Sequence, residues 1–195
     1  MRVLTKRKLR EMVVNMDASD FNSDVFFTDQ PWYFSQDGVC SYESFRTQIG
    51  KVFRVPKNNI ALVGSGCLGF SMSPMKNLRK FTKESDLDVV VISPDHFIKV
   101  WSVVLKTYYA GYPQVKEDFA PDIFRRFVTL YKFDNLDSTY LRYLVGLNDA
   151  VTKVATTKLR LRNELKFRIY SNWDEARAYQ DWSVDKLKVM INVRS

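Results

Sequence analysis

The sequence predicts one domain of the α/β or α+β class, residues 1–195. Three observations lead there. Two short apolar runs, Ile60 to Val63 and Leu87 to Ser93, are too short for helices, and the second carries the β-branched series Val89, Val90, Val91 and Ile92. Stretches with helical apolar spacing alternate with those runs. A length of 195 residues, 46% hydrophobic and 27% charged, suits a single folded core and excludes a disordered chain.

The elements follow in order. Leu9, Met12, Val13 and Met16 predict a short basic amphipathic helix, and the polar stretch Asp17 to Asp24 predicts a loop after it. Tyr42, Phe45, Ile49, Val52 and Phe53 predict a second helix, capped by Ser41 and stopped by Pro56. The run Ile60 to Val63 then reads as a buried strand, and Leu87 to Ser93 as the centre of a sheet. Phe97 to Tyr109 reads as helical or mixed, as does Asp122 to Tyr131. Ser138 to Val151 carries Leu141, Leu144, Val145 and Leu147 on roughly one side. From Lys158 to Tyr170, Leu159, Leu161, Leu165, Phe167 and Ile169 alternate with Arg160, Arg162, Lys166 and Arg168, predicting a half-exposed basic strand or hairpin. Asn172 and Glu175 form a capping-box-like pair that opens a terminal amphipathic helix.

Composition narrows the function. Thirty Lys and Arg against 22 Asp and Glu give +8, which points to a phosphate-bearing partner, either a nucleotide or a nucleic acid. Two cysteines, Cys40 and Cys67, provide neither a disulfide framework nor a CxxC zinc site, as expected in a reducing compartment. No run of about 18 apolar residues and no signal-peptide pattern is present, so the expected location is cytoplasmic with no membrane contact. A single histidine, His96, rules out a His-based metal cluster and a Ser/His/Asp triad, and it reads as an ordinary residue after a strand. Cys67 has no general base near it in sequence. Trp32, Tyr33 and Phe34 read as core packing, with base stacking as the alternative.

Gly64, Gly66 and Gly69 spell GxGxxG directly after the first strand, and Asp86 lies 22 residues beyond Gly64. A dinucleotide fingerprint needs a helix opening within the motif and an acid at the far end of the next strand. Phe70 to Pro74 make a poor first helical turn, and Asp86 and Asp88 stand at the beginning of the strand. No Lys-Ser or Lys-Thr follows the glycines at the spacing of a phosphate-binding P-loop.

A Gly-Ser turn after one strand, Gly64-Ser65, and an Asp-x-Asp pair opening the next, Asp86-Leu87-Asp88, resemble the signature of the nucleotidyltransferase superfamily that includes DNA polymerase beta. The likeness spans about Ile60 to Ser93. It implies a small mixed central sheet flanked by helices, with nucleoside monophosphate transferred from an NTP to a hydroxyl of RNA, DNA, protein or a small molecule. Each part has a physical logic. Glycine lets the backbone approach a polyphosphate, and the Ser65 hydroxyl donates to phosphate oxygens. Residues two apart on a strand share a face, so Asp86 and Asp88 present two carboxylates suited to Mg²⁺ or Mn²⁺. The 21-residue step from Ser65 to Asp86 carries Lys76, Arg79, Lys80 and Lys83, read either as a basic flap over the triphosphate, with Lys76 and Lys80 as phosphate contacts, or as a solvated loop.

Members of that superfamily place a third acid on a later strand beside the pair, where it binds metal and deprotonates the acceptor. Glu164 is the leading candidate, since Lys166 and Arg168 hold the polar face of the strand after it. Asp134 and Asp137 are the rivals. Two functions follow. One is a metal-dependent nucleotidyltransferase. The other is a catalytically inactive nucleotide- or nucleic-acid-binding module working with a partner protein in a complex, for instance a toxin–antitoxin or antiviral system.

Overall fold

The structure, a computed structural model, describes residues 4–130 and 142–193. In chain order the elements are α1 (Lys6–Asn15), α2 (Ala18–Phe21), α3 (Tyr42–Phe53), β1 (Ile60–Val63), α4 (Gly64–Leu68) and β2 (Leu87–Ile92). There follow α5 (Pro94–Tyr109), α6 (Gln114–Phe124), β3 (Phe127–Thr129), α7 (Arg142–Lys153), β4 (Leu165–Tyr170) and α8 (Trp173–Val193). The class is mixed α and β, as the sequence predicts.

The strands form one four-stranded sheet in the order β1-β2-β4-β3. β1 runs antiparallel to β2, β4 runs parallel to β2, and β3 runs antiparallel to β4. Side-chain alternation splits the core into two layers. Leu87, Val89, Val91, Phe167 and Ile169 pack with α3, α5, α6 and α7 on one face. Ala61, Val63, Val90, Ile92 and Tyr170 pack with α1, α2, α4 and α8 on the other. Residues of β2 with both neighbours are covered on both faces, which is why Val89, Val90 and Val91 can all be fully buried.

The helix signals in the sequence act as expected. The Ser41 side chain accepts from the Ser44 amide at 3.1 Å to start α3, and the Asn172 side chain accepts from the Glu175 amide at 2.9 Å ahead of α8. The Tyr42 hydroxyl accepts from the Leu62 amide at 2.9 Å, satisfying a donor on the outer side of the edge strand β1.

Three expectations need correction. Asp17 to Asp24 is not a loop: α2 and the turn Asn22–Phe26 are helical, because Phe21 and Phe26 are buried against α8 and draw a polar segment into the core. Asp122 to Tyr131, expected as helical or mixed, is mixed over its described residues: the end of α6 leads into the three-residue β3, and Tyr131 lies outside them. The Lys158 to Tyr170 pattern yields strand only from Leu165. Arg160 has φ 52°, which breaks extended backbone, so strand covers only the second half of that stretch, with Lys166 and Arg168 half-buried on its polar face. A helix does open within the glycine motif, but α4 is only one turn and ends at Gly69. Among the described residues no helix is long and apolar enough to cross a membrane.

Candidate functional site

The Gly-Ser turn and the Asp pair come together at one end of the sheet. Val63 pairs with Asp88 across β1 and β2, so Gly64 and Ser65 stand beside the start of β2. Gly64 has φ 65°, and a Cβ there would lie 2.9 Å from Asp88 Oδ2. Glycine is therefore required twice over, by backbone conformation and by the carboxylate pressed against it. At Gly66 a Cβ would lie 2.7 Å from Leu87 Cδ2, so this position lets α4 sit down on the sheet.

These residues border a cleft of about 440 Å³ on the face of the sheet that α8 covers. Its walls include Gly64, Ser65, Lys76, Lys80, Asp86 and Asp88, all six singled out in the sequence. The chain between Ser65 and Asp86 is a tied wall rather than a free flap. Ser71 N donates to Arg79 O at 2.8 Å and Phe81 N to Gly69 O at 2.8 Å, while Met72 and Leu78 are buried beneath. The Asn163 amide closes the far end on the carbonyls of Thr82, Lys83 and Ser85. Lys76, Arg79 and Lys80 are exposed on the rim.

The decisive geometry lies between β2 and β4. Their parallel register sets Asp88 beside Lys166 and Val90 beside Arg168. Asp86, Asp88, Lys166 and Arg168 thus all project from one face. Lys166 Nζ donates to Asp86 Oδ2 at 2.6 Å, and an Arg168 guanidinium nitrogen lies 3.0 Å from Asp88 Oδ1. Asp86 and Lys166 are about one-third exposed, at 35% and 33%. The hydrogen bond from Lys166 to Asp86 is the main reason that the Lys166 ammonium is held above its ordinary pKa, against the opposing effect of burial. Arg168 is held further by the Tyr179 and Phe127 rings, 5.5 and 5.7 Å from its guanidinium carbon.

Glu164 is not brought to the carboxylate pair. It is exposed just before β4, its carbonyl accepts from Leu87 N at 2.8 Å, and it lines a separate hollow with Asn148, Asp149 and Thr152. Asp134 and Asp137 lie outside the described residues. Cys67 is buried, and its thiol points to the carbonyls of Val25 and Phe26 at 3.4 and 3.3 Å. Burial pushes that thiol up to about 12, so it is no nucleophile at neutral pH. Trp32 and Tyr33 pack on Phe81, as core residues.

The resemblance implies two divalent ions held by Asp86, Asp88 and a third acid. The side chains facing the pair from β4 are instead cationic, and among the described residues no three His, Cys, Asp or Glu side chains gather. This donor set does not fit a two-metal centre, because each carboxylate charge is already met by a cation. What the arrangement can do is bind an anion. Lys76, Arg79, Lys80, Lys166 and Arg168 face three acids, Glu84, Asp86 and Asp88, and Ser65, Ser71, Ser73, Ser85 and Ser183 add hydroxyl donors. Tyr179 and Trp182, from α8, supply flat apolar surface on one side, and Trp182 is 46% exposed. The α8 residues went unforeseen because nothing local in the sequence links a C-terminal helix to a turn at Gly64. The alternation of Lys166 and Arg168 was the one available signal for the ion pairs.

No family model matches the chain, and no curated protein and no solved structure matches it. The functional reading therefore stands on the residues themselves.

Proposed function

We propose that the cleft binds a nucleoside triphosphate on cationic side chains in place of metal ions, in a nucleotidyltransferase-like domain that serves as a non-catalytic nucleotide-binding module. The pairing of Lys166 with Asp86 and of Arg168 with Asp88 carries this reading. A cation beside each carboxylate, with no third acid at the pair among the described residues, favours a site that works without metal. The tied basic rim supports it, since Lys76, Arg79 and Lys80 can reach phosphate oxygens from one side while the Gly64-Ser65 turn offers amide and hydroxyl donors from the other. Tyr179 and Trp182 suit the base of a nucleotide better than they suit a bare phosphate. A module of this kind would report nucleotide levels to a partner protein.

Fluorescent-nucleotide titration tests the reading. Arg79→Gln with Lys80→Gln should weaken ATP binding roughly ten-fold or more, since each removes a charge-assisted contact. Unchanged affinity in that variant would place the nucleotide elsewhere. Transfer of an α-phosphate label to RNA or protein, lost in Asp86→Asn, would overturn the non-catalytic reading in favour of a Mg²⁺-dependent nucleotidyltransferase.

A further inference from the structure

A second basic hollow lies on the other face of the sheet, at the opposite end of β2. The cleft flanks Asp86, before β2, whereas this hollow flanks the start of α5 after it, so roughly 20 Å of strand separates them. The hollow measures about 520 Å³ and lies between the end of α3, the first turns of α5 and the start of α7. Arg54, Asp95, His96, Lys99, Arg142 and Tyr143 line it.

Its charge is lopsided. Among the described residues that line it, Arg54, Lys99 and Arg142 bring three cations against the single carboxylate of Asp95. Among the described residues none of the three cations forms an ion pair, not even with Asp95 on the same hollow. Lys99 Nζ sits 3.8 Å above the centre of the Tyr143 ring, which steers its charge into the hollow. His96 is half-buried, and its ring lies along Tyr143 and edge-on to Phe53. Its Nδ1 meets Ser93 Oγ at 2.9 Å, which leaves Nε2 without a protein partner among the described residues.

Arg54 supplies an independent sign. It ends α3 with φ 53° and ψ 40°, the left-handed conformation that helix ends usually give to glycine. A side chain at that position costs stability. Lys51 already complements the carbonyl end of α3, so the helix has no need of a second cation there. Arg54 thus stands at a glycine-type position beside Lys99 and Arg142, and among the described residues no carboxylate pairs with any of the three.

We propose that this hollow is a second phosphate-binding site, independent of the cleft, which seats a phosphate or diphosphate group on Arg54, Lys99 and Arg142. The same chemistry is offered by a free phosphate compound and by a polynucleotide backbone. His96 makes the site observable, because it is the only histidine of the chain. Burial and the charges of Lys99 and Arg54 hold it below its ordinary pKa, and Asp95 opposes them. The other side chains facing it are the Arg142 guanidinium and Tyr143, whose hydroxyl burial pushes above its ordinary pKa. A bound anion cancels the cations, so the His96 titration midpoint must move to higher pH.

The experiment follows the His96 Cε1 proton by NMR in the full, tag-free chain, titrated with sodium pyrophosphate at ionic strength held constant with NaCl. The expected result is a saturable shift and a higher titration midpoint. Lys99→Gln with Arg142→Gln should weaken the response roughly ten-fold or more. Arg54→Gly should weaken it while raising the melting temperature, so that loss of binding cannot be mistaken for loss of fold. Arg79→Gln with Lys80→Gln, in the cleft, should leave it unchanged. Saturation by pyrophosphate or a mononucleotide assigns a free phosphate compound, and saturation only by a short single-stranded oligonucleotide assigns a polynucleotide backbone. A His96 signal unmoved by all of these, or moved equally by NaCl alone, would overturn the site.

Discussion

Replacing Lys166 and Arg168 by glutamine should free the carboxylate pair to hold a divalent ion more tightly. The perturbation leaves Asp86 and Asp88 unpaired, two residues apart on one face of β2. In the natural chain an ion bridging them would lie about 4 Å from the Lys166 ammonium, a repulsion of about 2 kcal/mol even at the dielectric of water. That corresponds to a roughly 30-fold weaker affinity, and the Arg168 guanidinium adds a comparable amount. The variant should therefore bind Mn²⁺ at least about 30-fold more tightly than the parent. It should still fold. Both pairs are partly exposed, so each contributes no more than about 1 kcal/mol once solvent screening is allowed for. Electron paramagnetic resonance of free Mn²⁺ gives the affinity directly, and urea unfolding gives the stability. If the parent binds Mn²⁺ as tightly as the variant, Lys166 and Arg168 do not guard the carboxylates and the metal-free reading fails.

Other expectations concern the fold that positions the cleft. Gly64→Ala forces a side chain into a left-handed position against Asp88 and should cost about 1–3 kcal/mol in urea unfolding; no change would mean that the turn relaxes freely. Phe167→Ala opens a cavity at a 1%-exposed site on β4, against Phe53 of α3, and should cost about 3–5 kcal/mol, with a smaller loss refuting the packing described. Stability should also fall at high pH. The Lys166 ammonium is held above its ordinary value, and burial pushes the Tyr42 hydroxyl and the Cys67 thiol up to about 12, so all three bind protons more tightly when folded. Their contribution is complete below the unfolded values, near 9.0 for the thiol and 10.0 for the tyrosine, and is lost as pH rises toward about 12. A urea midpoint that stays flat from pH 8 to 11.5 would contradict this, and a decline beginning near pH 9 would agree.

Much of the frame was legible in the sequence, for reasons that are local. The β-branched run after Asp88, Ser41 ahead of α3 and Asn172 ahead of α8 each state their structure within a few residues. The Gly64-Ser65 turn and the Asp86-Asp88 pair were likewise readable, because the strands on either side point them at each other. What escaped was non-local. Asp17 to Asp24 is polar by composition, yet α8, which lies more than a hundred residues later, buries Phe21 and Phe26. The alternation from Lys158 onward imitates a longer strand, and only the left-handed backbone at Arg160 shows where it stops. Above all, the basic face of β4 was visible as alternation, but its parallel register with β2 was not. That register turns Lys166 and Arg168 from surface charges into the partners of Asp86 and Asp88.

Isothermal titration of the natural chain with ATP, once in EDTA and once in excess Mg²⁺, tests the metal-free cleft most directly. The cationic account predicts clear binding in EDTA, and no gain on adding Mg²⁺, because Lys166 and Arg168 already neutralise the carboxylates that the ion would need. Binding that appears only with Mg²⁺ and vanishes in Asp86→Ala with Asp88→Ala would contradict it.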